Sequence, residues 1–286
     1  MHPDLVQRLP VTLTESSVLA IIPARYQSSR FPGKPLADIA GRPMIEHVYR
    51  RAASATLVSA VVVATDDDRI AAAVNAFGGV AVMTRTDHTS GTDRVAEVVS
   101  ALPCRLVVNV QGDEPLIEPA MIDEAIAPLL ADASLDIGTL SRPFRDAAEF
   151  TSPHVVKVVT DQHRQALYFS RAAIPHSRDG SSLTSDVLKS ASSVSSAAQS
   201  ASSAAPSVPS AARAHIGLYV YRRDILLRLA SLPPSTLERL EALEQLRALE
   251  HGIRIHVTDT QFESIGVDTP ADLNRVRQRL LVAPRT

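Results

Sequence analysis

The sequence predicts an α/β fold with a mainly parallel, doubly wound sheet and a smaller β-rich insertion. Two observations predict it: short runs rich in Val and Ile alternate with longer helical patterns, and turn residues bound each run. This β-α-β-α order favours parallel strands joined by right-handed crossovers, with helices on both faces of the sheet. Ligands of such sheets bind beyond the carboxyl ends of the strands, so we expect the binding residues in the loops that follow them.

The first half of the chain carries the regular alternation. Apolar runs predict strands at Val18–Ala24, Ser59–Thr65, Val80–Thr84 and Leu106–Val110. Apolar periodicity and end signals predict helices at Pro43–Ala53, Asp67–Phe77, Thr92–Leu102 and Pro119–Leu130. Two of these helices begin with proline, which is favoured in a first helical turn.

The second half is less regular. Its predicted strands are Val155–Thr160 and Ala166–Ser170, which form a hairpin, followed by His215–Tyr221 and Ile253–Thr258. A single helix is predicted over Ser235–Glu250, with leucine at every third position from 237 to 249 as an apolar face that packs on the body or on a second subunit. Thr269–Leu281, with Pro270 in its first turn, is predicted to be the closing helix.

The domain organisation follows from length and composition. A chain of 286 residues is long enough for one main body, which we place at residues 18–282 after an N-terminal tail at residues 1–17. Residues 181–212 contain 13 Ser and 8 Ala. Such a segment buries too little apolar surface to offset its ordering entropy, so we predict a disordered loop there.

Composition also excludes some classes of function. The formal charge of −2, from 29 Lys plus Arg and 31 Asp plus Glu, lacks the basic excess of a nucleic-acid partner. No long apolar run predicts a membrane span, and the first residues do not resemble a secretory signal, so we expect a cytoplasmic protein. The single cysteine, Cys104, is expected to have a packing role.

The first motif with chemical content is the loop from Ile21 to Leu36, which follows the first strand. Its cations and small residues suit a polyphosphate, because exposed backbone N–H groups and basic side chains bind phosphate oxygens. The spacing matches neither a P-loop nor a dinucleotide fingerprint, and a solvated basic loop remains an alternative. The residues concerned are Arg25, Ser28, Ser29, Arg30, Gly33 and Lys34.

Two further motifs each offer a carboxylate. The run Val107–Ile117 is a buried-strand pattern that ends in Gln111, Gly112 and Asp113. A carboxylate at a strand's carboxyl end is well placed to hold Mg²⁺, which takes few protein ligands and keeps other positions for water and phosphate. Asp268 offers a second carboxylate just before the last helix. The alternatives are a turn residue for Asp113 and a helix cap for Asp268.

These motifs resemble those of the 3-deoxy-manno-octulosonate cytidylyltransferase family, the CMP-KDO synthetases. The resemblance runs from Val18 to Leu281 and rests on several long motifs in the same order. They are IPARYQSSRFPGKPLADIAGRPMIEHV, VATDDDRI, MTRTDHTSGTDRVAEV, VNVQGDEPLI, VKVV with ALYFSRAAIP, HIGLYVYR, LERLEALEQLR and GVDTPADL. The resemblance implies a nucleotide-diphospho-sugar transferase type of α/β fold, a homodimer, and synthesis of CMP-KDO and pyrophosphate from CTP and 3-deoxy-D-manno-octulosonate (KDO) for lipopolysaccharide assembly.

The resemblance also implies roles for individual residues. The catalytic set would be Arg25, Lys34, Asp113 and Asp268, the last two as Mg²⁺ ligands. Nucleotide binding would fall to Ala24, Arg25, Ser28, Ser29, Arg30, Lys34, Thr92, Asp93, Arg94 and Gln111. Sugar binding would fall to Gln111, Arg171, His215, Tyr219, Glu244 and Gln245, with Gln111 between the two substrates.

The implied reaction is in-line attack of the anomeric hydroxyl of KDO on the α-phosphorus of CTP, without a covalent intermediate. We expect His215 to bind the sugar rather than to act as a general base. Two alternatives stay open. One is a cytidylyltransferase for another acid sugar, such as amino-substituted KDO or sialic acid; the other is a non-catalytic binding module on the same fold.

Overall fold

The computed structural model describes residue 9 and residues 11–27, 31–176 and 211–282. Its strands are β1 (Val18–Ala24), β2 (Asp38–Ile39), β3 (Arg42–Pro43), β4 (Ala60–Thr65), β5 (Ala81–Met83), β6 (Leu106–Asn109), β7 (Ile137–Arg142), β8 (Lys157–Thr160), β9 (Ala166–Ser170), β10 (Arg213–Arg222) and β11 (Ile255–Asp259). A 3₁₀ helix spans Lys34–Leu36. The α-helices are α1 (Met44–Ala53), α2 (Asp68–Ala76), α3 (Gly91–Ser100), α4 (Pro119–Ala131), α5 (Ala147–Thr151), α6 (Arg223–Ser231), α7 (Thr236–Glu241), α8 (Gln245–Glu250) and α9 (Pro270–Val282).

The central sheet has the strand order β11-β7-β10-β6-β1-β4-β5. Among the described residues, six of these seven strands point the same way, because β10 alone runs antiparallel to its neighbours β6 and β7. The β8–β9 hairpin pairs with the start of β10 and forms the smaller β-rich part. The predicted fold class is therefore confirmed.

The core lies on both faces of this sheet. Side chains of β1 alternate between them: Leu19 and Ile21 belong to one buried cluster, and Ala20 and Ile22 to the other. This is the period of two expected of a strand buried on both faces. A third, smaller cluster around Met44, Val267 and Val276 seats α9 against the body and thereby fixes the segment that carries Asp268.

The predicted helix over Ser235–Glu250 is wrong in one respect, because it is two helices. The chain breaks at Ala242, whose φ of 51° lies in the left-handed region. A spacing of three residues turns the helix by about 300°, so each leucine falls about 60° behind the previous one and a straight helix cannot keep them on one face. Leu240 is accordingly 78% exposed, whereas Leu246 is buried.

Other expectations meet the structure in part. The described part of the predicted N-terminal tail packs on the body, because Leu9 and Leu13 are buried in the core. The predicted disordered loop lies outside the described residues except for Ala211 and Ala212. Cys104 is buried, and burial raises the pKa of its thiol to about 11, which fits a packing role. No helix among the described residues has the length and apolarity that a membrane span requires.

Candidate active site

The first pocket, here called the β1/β6 pocket, opens where β1 and β6 end. These neighbouring parallel strands pair Ile21 with Asn109, so the loops that follow them leave the sheet at the same edge. The start of α3 and the residues just before it form another wall of the pocket. The cavity measures about 270 Å³. It is lined by Pro23, Ala24, Arg25, Lys34, Pro35, His88, Ser90, Gly91, Arg94, Gln111, Gly112, Asp113 and Asp268.

Lys34 lies at the base of this pocket. Gly33 precedes it with a φ of 72°, a conformation that a residue with a Cβ adopts only with strain, and the turn starts the 3₁₀ helix that carries Lys34. The Lys34 Nζ atom lies 2.7 Å from Asp113 Oδ2 and 3.6 Å from Asp268 Oδ1. The structure therefore brings together one cation and two carboxylates that are far apart in sequence.

Asp268 reaches this cluster because its segment is tied to the loop after β6. The backbone N–H of Val267 donates to the carbonyl of Asp113 at 2.8 Å. The hydroxyl of Ser264 donates to Glu114 Oε2 at 2.7 Å. Gly112 packs the same loop against β1, since a Cβ there would lie 3.0 Å from the Pro23 carbonyl oxygen. The loop that holds Asp113 is thus fixed on two sides.

The start of α9 is capped by the residues that follow Asp268. Asp272 accepts hydrogen bonds from the backbone N–H groups of Asp268 and Thr269, at 3.0 and 2.8 Å, and from the hydroxyl of Thr269. Thr269 and Asp272 therefore cap the helix together. The carboxylate of Asp268 lies within ion-pair distance of Lys34.

The carboxylate pair fits a magnesium ion. Asp113 and Asp268 converge on a single cationic atom, as two ligands of one metal ion must. The described residues hold no cluster of three or more His, Cys, Asp or Glu that would suit a metal held by protein alone. Mg²⁺ is commonly held by one or two carboxylates together with substrate phosphates, which is the set that this pocket can provide.

The basic loop after β1 is described in part. Arg25 is exposed and Ala24 is buried, and both line the β1/β6 pocket. The predicted phosphate-binding residues Ser28, Ser29 and Arg30 lie outside the described residues.

The three residues predicted near the cytidine have different surroundings. Arg94 lines the pocket, and its guanidinium donates to Asp66 Oδ2 at 2.7 Å and to Thr84. Thr92 is buried and donates to Glu244 Oε2 at 2.7 Å. Asp93 faces a neighbouring surface depression rather than the β1/β6 pocket. The structure therefore brings Arg94 alone of the three to the pocket wall.

Three further lining residues lie at the start of α3: Ser90 and Gly91 belong to the SGTDR stretch that the resemblance places by the cytidine, whereas His88 was not predicted from the sequence. His88, Ser90 and Gly91 precede or begin α3, and the Ser90 hydroxyl caps that helix by accepting from the N–H of Asp93 at 3.0 Å. A signal for His88 was present, because it lies in the same TDHTSGTDR motif, two residues before that stretch.

The second pocket, here called the β10 pocket, lies beside the first and measures about 600 Å³. Gln111 and Asp268 line both pockets. Every residue predicted to bind sugar lines the β10 pocket, although these residues come from four distant parts of the chain. They are Gln111, Arg171, His215, Tyr219, Glu244 and Gln245.

His215 is held as a neutral imidazole. It is enclosed by Phe169 and Tyr219, and its Nε2 lies 3.0 Å from the hydroxyl of Thr139. Burial lowers the pKa of His215 to about 3. A group with so low a pKa is a poor general base near neutral pH, so the geometry favours a hydrogen-bonding role.

Glu244 lines the β10 pocket and accepts a hydrogen bond from Thr92 of α3. Burial raises the pKa of its carboxyl group, and the hydrogen bond from Thr92 opposes this rise. Its Oε1 atom is buried and makes no hydrogen bond within the described residues, and Arg247 Nη2 lies 3.8 Å from it. An unsatisfied buried acceptor is costly and is satisfied when a ligand supplies a donor.

Arg171 lines the β10 pocket while it holds the backbone around it. Its Nε donates to the carbonyl of Glu241 at 2.7 Å, and its other nitrogens donate to the carbonyls of Pro153 and Ala242 at 3.2 and 3.3 Å. Arg171 therefore links three chain segments at the pocket wall.

Glu114 and Arg142 also line the β10 pocket and were not predicted. Burial raises the pKa of Glu114 to about 7. Arg142 pairs with Glu149. Glu114 stands inside a motif that the sequence displays, whereas Arg142 belongs to β7, whose Gly, Thr and Ser residues interrupt the apolar pattern by which strands were found.

The sheet is mainly parallel, and the basic loop after β1 faces two carboxylates: Asp113, which follows β6, and Asp268, which precedes α9. This combination defines a nucleotidyltransferase of the sugar-nucleotide type. A family model described as Cytidylyltransferase matches residues 19–255. The 3-deoxy-manno-octulosonate cytidylyltransferase of Geobacter sulfurreducens is 56% identical over 264 residues, covering 92% of this chain and 99% of that protein. The corresponding protein of Geobacter metallireducens is 55% identical over 263 residues, covering 92% and 97%.

A solved structure agrees with these relatives. It is a CMP:2-keto-3-deoxy-manno-octonic acid synthetase in complex with CTP, which matches with a TM-score of 0.79 and 42% identity over 93% of this chain and 99% of that one. The chain belongs to the 3-deoxy-manno-octulosonate cytidylyltransferase family.

Proposed function

We propose that the protein transfers CMP from CTP to the anomeric hydroxyl of KDO and releases pyrophosphate, a step of lipopolysaccharide biosynthesis. One observation carries the proposal: Lys34, Asp113 and Asp268 form a charged cluster at the border of two adjacent pockets, and Gln111 and Asp268 line both. Two substrates bound side by side would meet at that border.

CTP would occupy the β1/β6 pocket. Arg25 and Lys34 would contact the triphosphate together with Ser28, Ser29 and Arg30 of the same loop. Arg94 would approach the cytidine from α3, where Asp66 balances its charge and keeps the guanidinium in place. Thr92 and Asp93 would act by shaping the start of α3, because their side chains point elsewhere.

Asp113 and Asp268 would hold Mg²⁺. When bound, Mg²⁺ supplies charge neutralisation between two anionic substrates and makes a coordinated hydroxyl more acidic. Lys34 lies between the two carboxylates, so its ammonium is within reach of a phosphate bound beside them. The protein's task is then mainly to position the substrates and to neutralise charge, which is what phosphoryl transfer requires of an enzyme.

KDO would occupy the β10 pocket. Its carboxylate and hydroxyls would meet residues that lie on or directly beside β9, β10 and α8, namely Arg171, His215, Tyr219, Glu244 and Gln245. The neutral His215 can donate or accept a hydrogen bond, and the Oε1 atom of Glu244 would accept from a sugar hydroxyl. Fixed polar groups of this kind orient the anomeric hydroxyl without taking part in a covalent step.

We also propose that the protein works as a homodimer in the cytoplasm. Two exposed apolar side chains support a subunit contact: Leu240 is 78% exposed on α7 and Leu167 is 62% exposed on β9. Large apolar side chains that stay exposed in groups are typical of association surfaces. Light scattering over a range of protein concentrations tests the dimer.

The experiment that tests the function is pyrophosphate release from purified protein with magnesium. CTP is compared with ATP, GTP and UTP, and KDO is compared with sialic acid and amino-substituted KDO. Release with CTP and KDO alone supports the proposal. Release with CTP and another acid sugar would keep the mechanism and change the substrate, whereas no release with any pair would favour a binding module.

A further inference from the structure

Lys157 begins β8 beside the β10 pocket, and its side chain is fully buried. Its Nζ atom donates to the backbone carbonyls of Ser152 and Val155 at 2.8 Å each, and to the carbonyl of Arg171 at 2.5 Å. An ammonium group has three donors, so these carbonyls satisfy all of them.

The three carbonyls belong to two segments of the pocket wall. Ser152 and Val155 bound the turn before β8, and Arg171 follows β9. These segments supply His154, Val155, Val156 and Arg171 to the lining of the β10 pocket. One buried ammonium therefore joins both sides of this part of the wall.

The hydrogen bonds from Lys157 to the carbonyls of Ser152, Val155 and Arg171 are here called the clamp, and it extends to Glu244 through Arg171. The guanidinium of Arg171 donates to the carbonyls of Glu241 and Ala242, where the chain breaks between α7 and α8. Glu244 follows this break and points to Thr92. A shift of Arg171 would therefore move the helix break and, with it, the acidic side of the pocket.

Burial lowers the pKa of Lys157, and the charge of Glu241, which favours the ammonium form, is opposed by that of Arg171. Among the described ranges of the chain, no carboxylate lies within ion-pair distance of the Lys157 Nζ atom. Burying an unpaired ammonium is costly, and an apolar side chain of the same length would fill the same space. The three charge-assisted hydrogen bonds offset that cost and leave a positive charge beside a pocket that would receive an anionic sugar.

We propose that Lys157 is a positioning residue for the sugar half of the reaction: it fixes Arg171 and the turn at residues 152–156 in the arrangement that an acid sugar requires. The inference rests on the proposed function, since the sugar is the ligand of this pocket. The nucleotide half should not depend on it, because none of the clamped segments lines the β1/β6 pocket.

The test compares Lys157→Met and Lys157→Gln with the wild type. We expect Lys157→Met to raise the KM for KDO roughly 10-fold and to leave the KM and the calorimetric Kd for CTP within about 2-fold, since a lost buried hydrogen-bonding group costs about one decade in binding. Because the side chain of Lys157→Gln keeps amide donors, its KM for KDO should fall between those of the wild type and Lys157→Met. Arg222→Met is the matched control, because Arg222 also clamps three carbonyls, those of Leu129, Asp132 and Leu135, away from both pockets.

The control Arg222→Met should lower Tm, and it should not raise the KM for KDO relative to the KM for CTP. An equal rise of both KM values in Lys157→Met, or an unchanged KM for KDO in both Lys157 variants, would overturn the proposal. If the wild type itself releases no pyrophosphate with CTP and KDO, the proposed function fails, and a crystal structure of Lys157→Gln then decides about the clamp. A displaced Arg171 in that structure would support the proposed role of Lys157, and an unmoved Arg171 would overturn it.

Discussion

The two pockets are built in different ways. The β1/β6 pocket places its charged groups on loops at the ends of neighbouring strands, and Arg25 is exposed there. The β10 pocket takes His215 and Tyr219 from a strand, and the ring of His215 packs against those of Phe169 and Tyr219. The first pocket holds the cluster of Lys34, Asp113 and Asp268, and the second pocket adds hydrogen-bonding side chains packed among aromatic rings.

The difference follows from the ligands that we propose. A triphosphate is a concentrated charge, and cations on a loop attract it over several ångströms without a tight shape. A sugar is recognised through individual hydroxyls, and discrimination between sugars needs buried partners that lose energy when left unpaired. The comparison predicts that substitutions at the cluster of Lys34, Asp113 and Asp268, or at residues that hold it in place, change mainly rate and metal use. Substitutions among the proposed sugar-binding residues should change mainly the KM for the sugar.

Asp113→Asn should have the largest effect. We expect pyrophosphate release to fall about 10²–10³-fold, because the variant loses one preorganised electrostatic group at the point where the two substrates meet. Steady-state rates at saturating CTP and magnesium measure it. Asp224→Asn, an exposed position in the first turn of α6, is the control and should keep the full rate. A near-wild-type rate for Asp113→Asn would remove Asp113 from the metal site.

His215 gives the next effect, on stability. Burial lowers its pKa from 6.5 to about 3, so the unfolded chain takes up a proton below pH 6.5 while the folded protein does not. Stability is therefore lost as the pH falls from 6.5 toward 3. Between pH 7.5 and 5 this single group should remove about 2 kcal/mol from the free energy of unfolding.

The measurement for His215 is denaturant unfolding of the wild type and His215→Gln across that pH range. At pH 7.5 the free energy of unfolding of His215→Gln should be lower than that of the wild type, because the variant loses buried contacts. This difference in the free energy of unfolding should narrow by about 2 kcal/mol as the pH falls. A difference that stays constant would mean that His215 titrates in the folded protein as it does in the unfolded chain, so that burial does not lower its pKa.

Thr92 tests the border between the two halves, because it lies on α3 while its hydroxyl serves Glu244 of the β10 pocket. We expect Thr92→Val to raise the KM for KDO by about 10-fold and to change the KM for CTP less, since the buried Glu244 loses its donor. Thr56→Val is the matched control, as Thr56 donates to Asp123 at 2.8 Å in an exposed turn. A larger rise for CTP would assign Thr92 to the nucleotide half.

Ser264→Ala should have the smallest effect. It removes the hydrogen bond to Glu114 that ties the Asp268 segment to the loop after β6. The loss of this hydrogen bond should weaken magnesium binding by about 1 kcal/mol. That corresponds to about a 5-fold rise in the magnesium concentration that gives half the maximal rate. Ser231→Ala, whose hydroxyl donates within α6, should leave that concentration unchanged. An unchanged value in Ser264→Ala would show that the backbone contact of Val267 suffices.

Prediction from the sequence worked best where a residue's surroundings are local. The strands β1 and β9 were predicted at their observed bounds, because apolar runs between turn residues depend on neighbours along the chain. The strand β7 and the helix α6 were missed, since their burial depends on contacts with distant segments. The break at Ala242 was also missed; it places a non-glycine residue in the left-handed region, which local preference disfavours.

The sequence alone determined the fold class and the family, because the period of each element and the order of the motifs are properties of neighbours along the chain. It also determined which residue types carry charge beside β1 and β6. Only the tertiary structure decided that Asp113 and Asp268 converge on Lys34, that Thr92 turns away to Glu244, and that Lys157 holds Arg171 from within. These contacts join positions far apart in sequence, and their geometry is set by how the elements pack around the sheet.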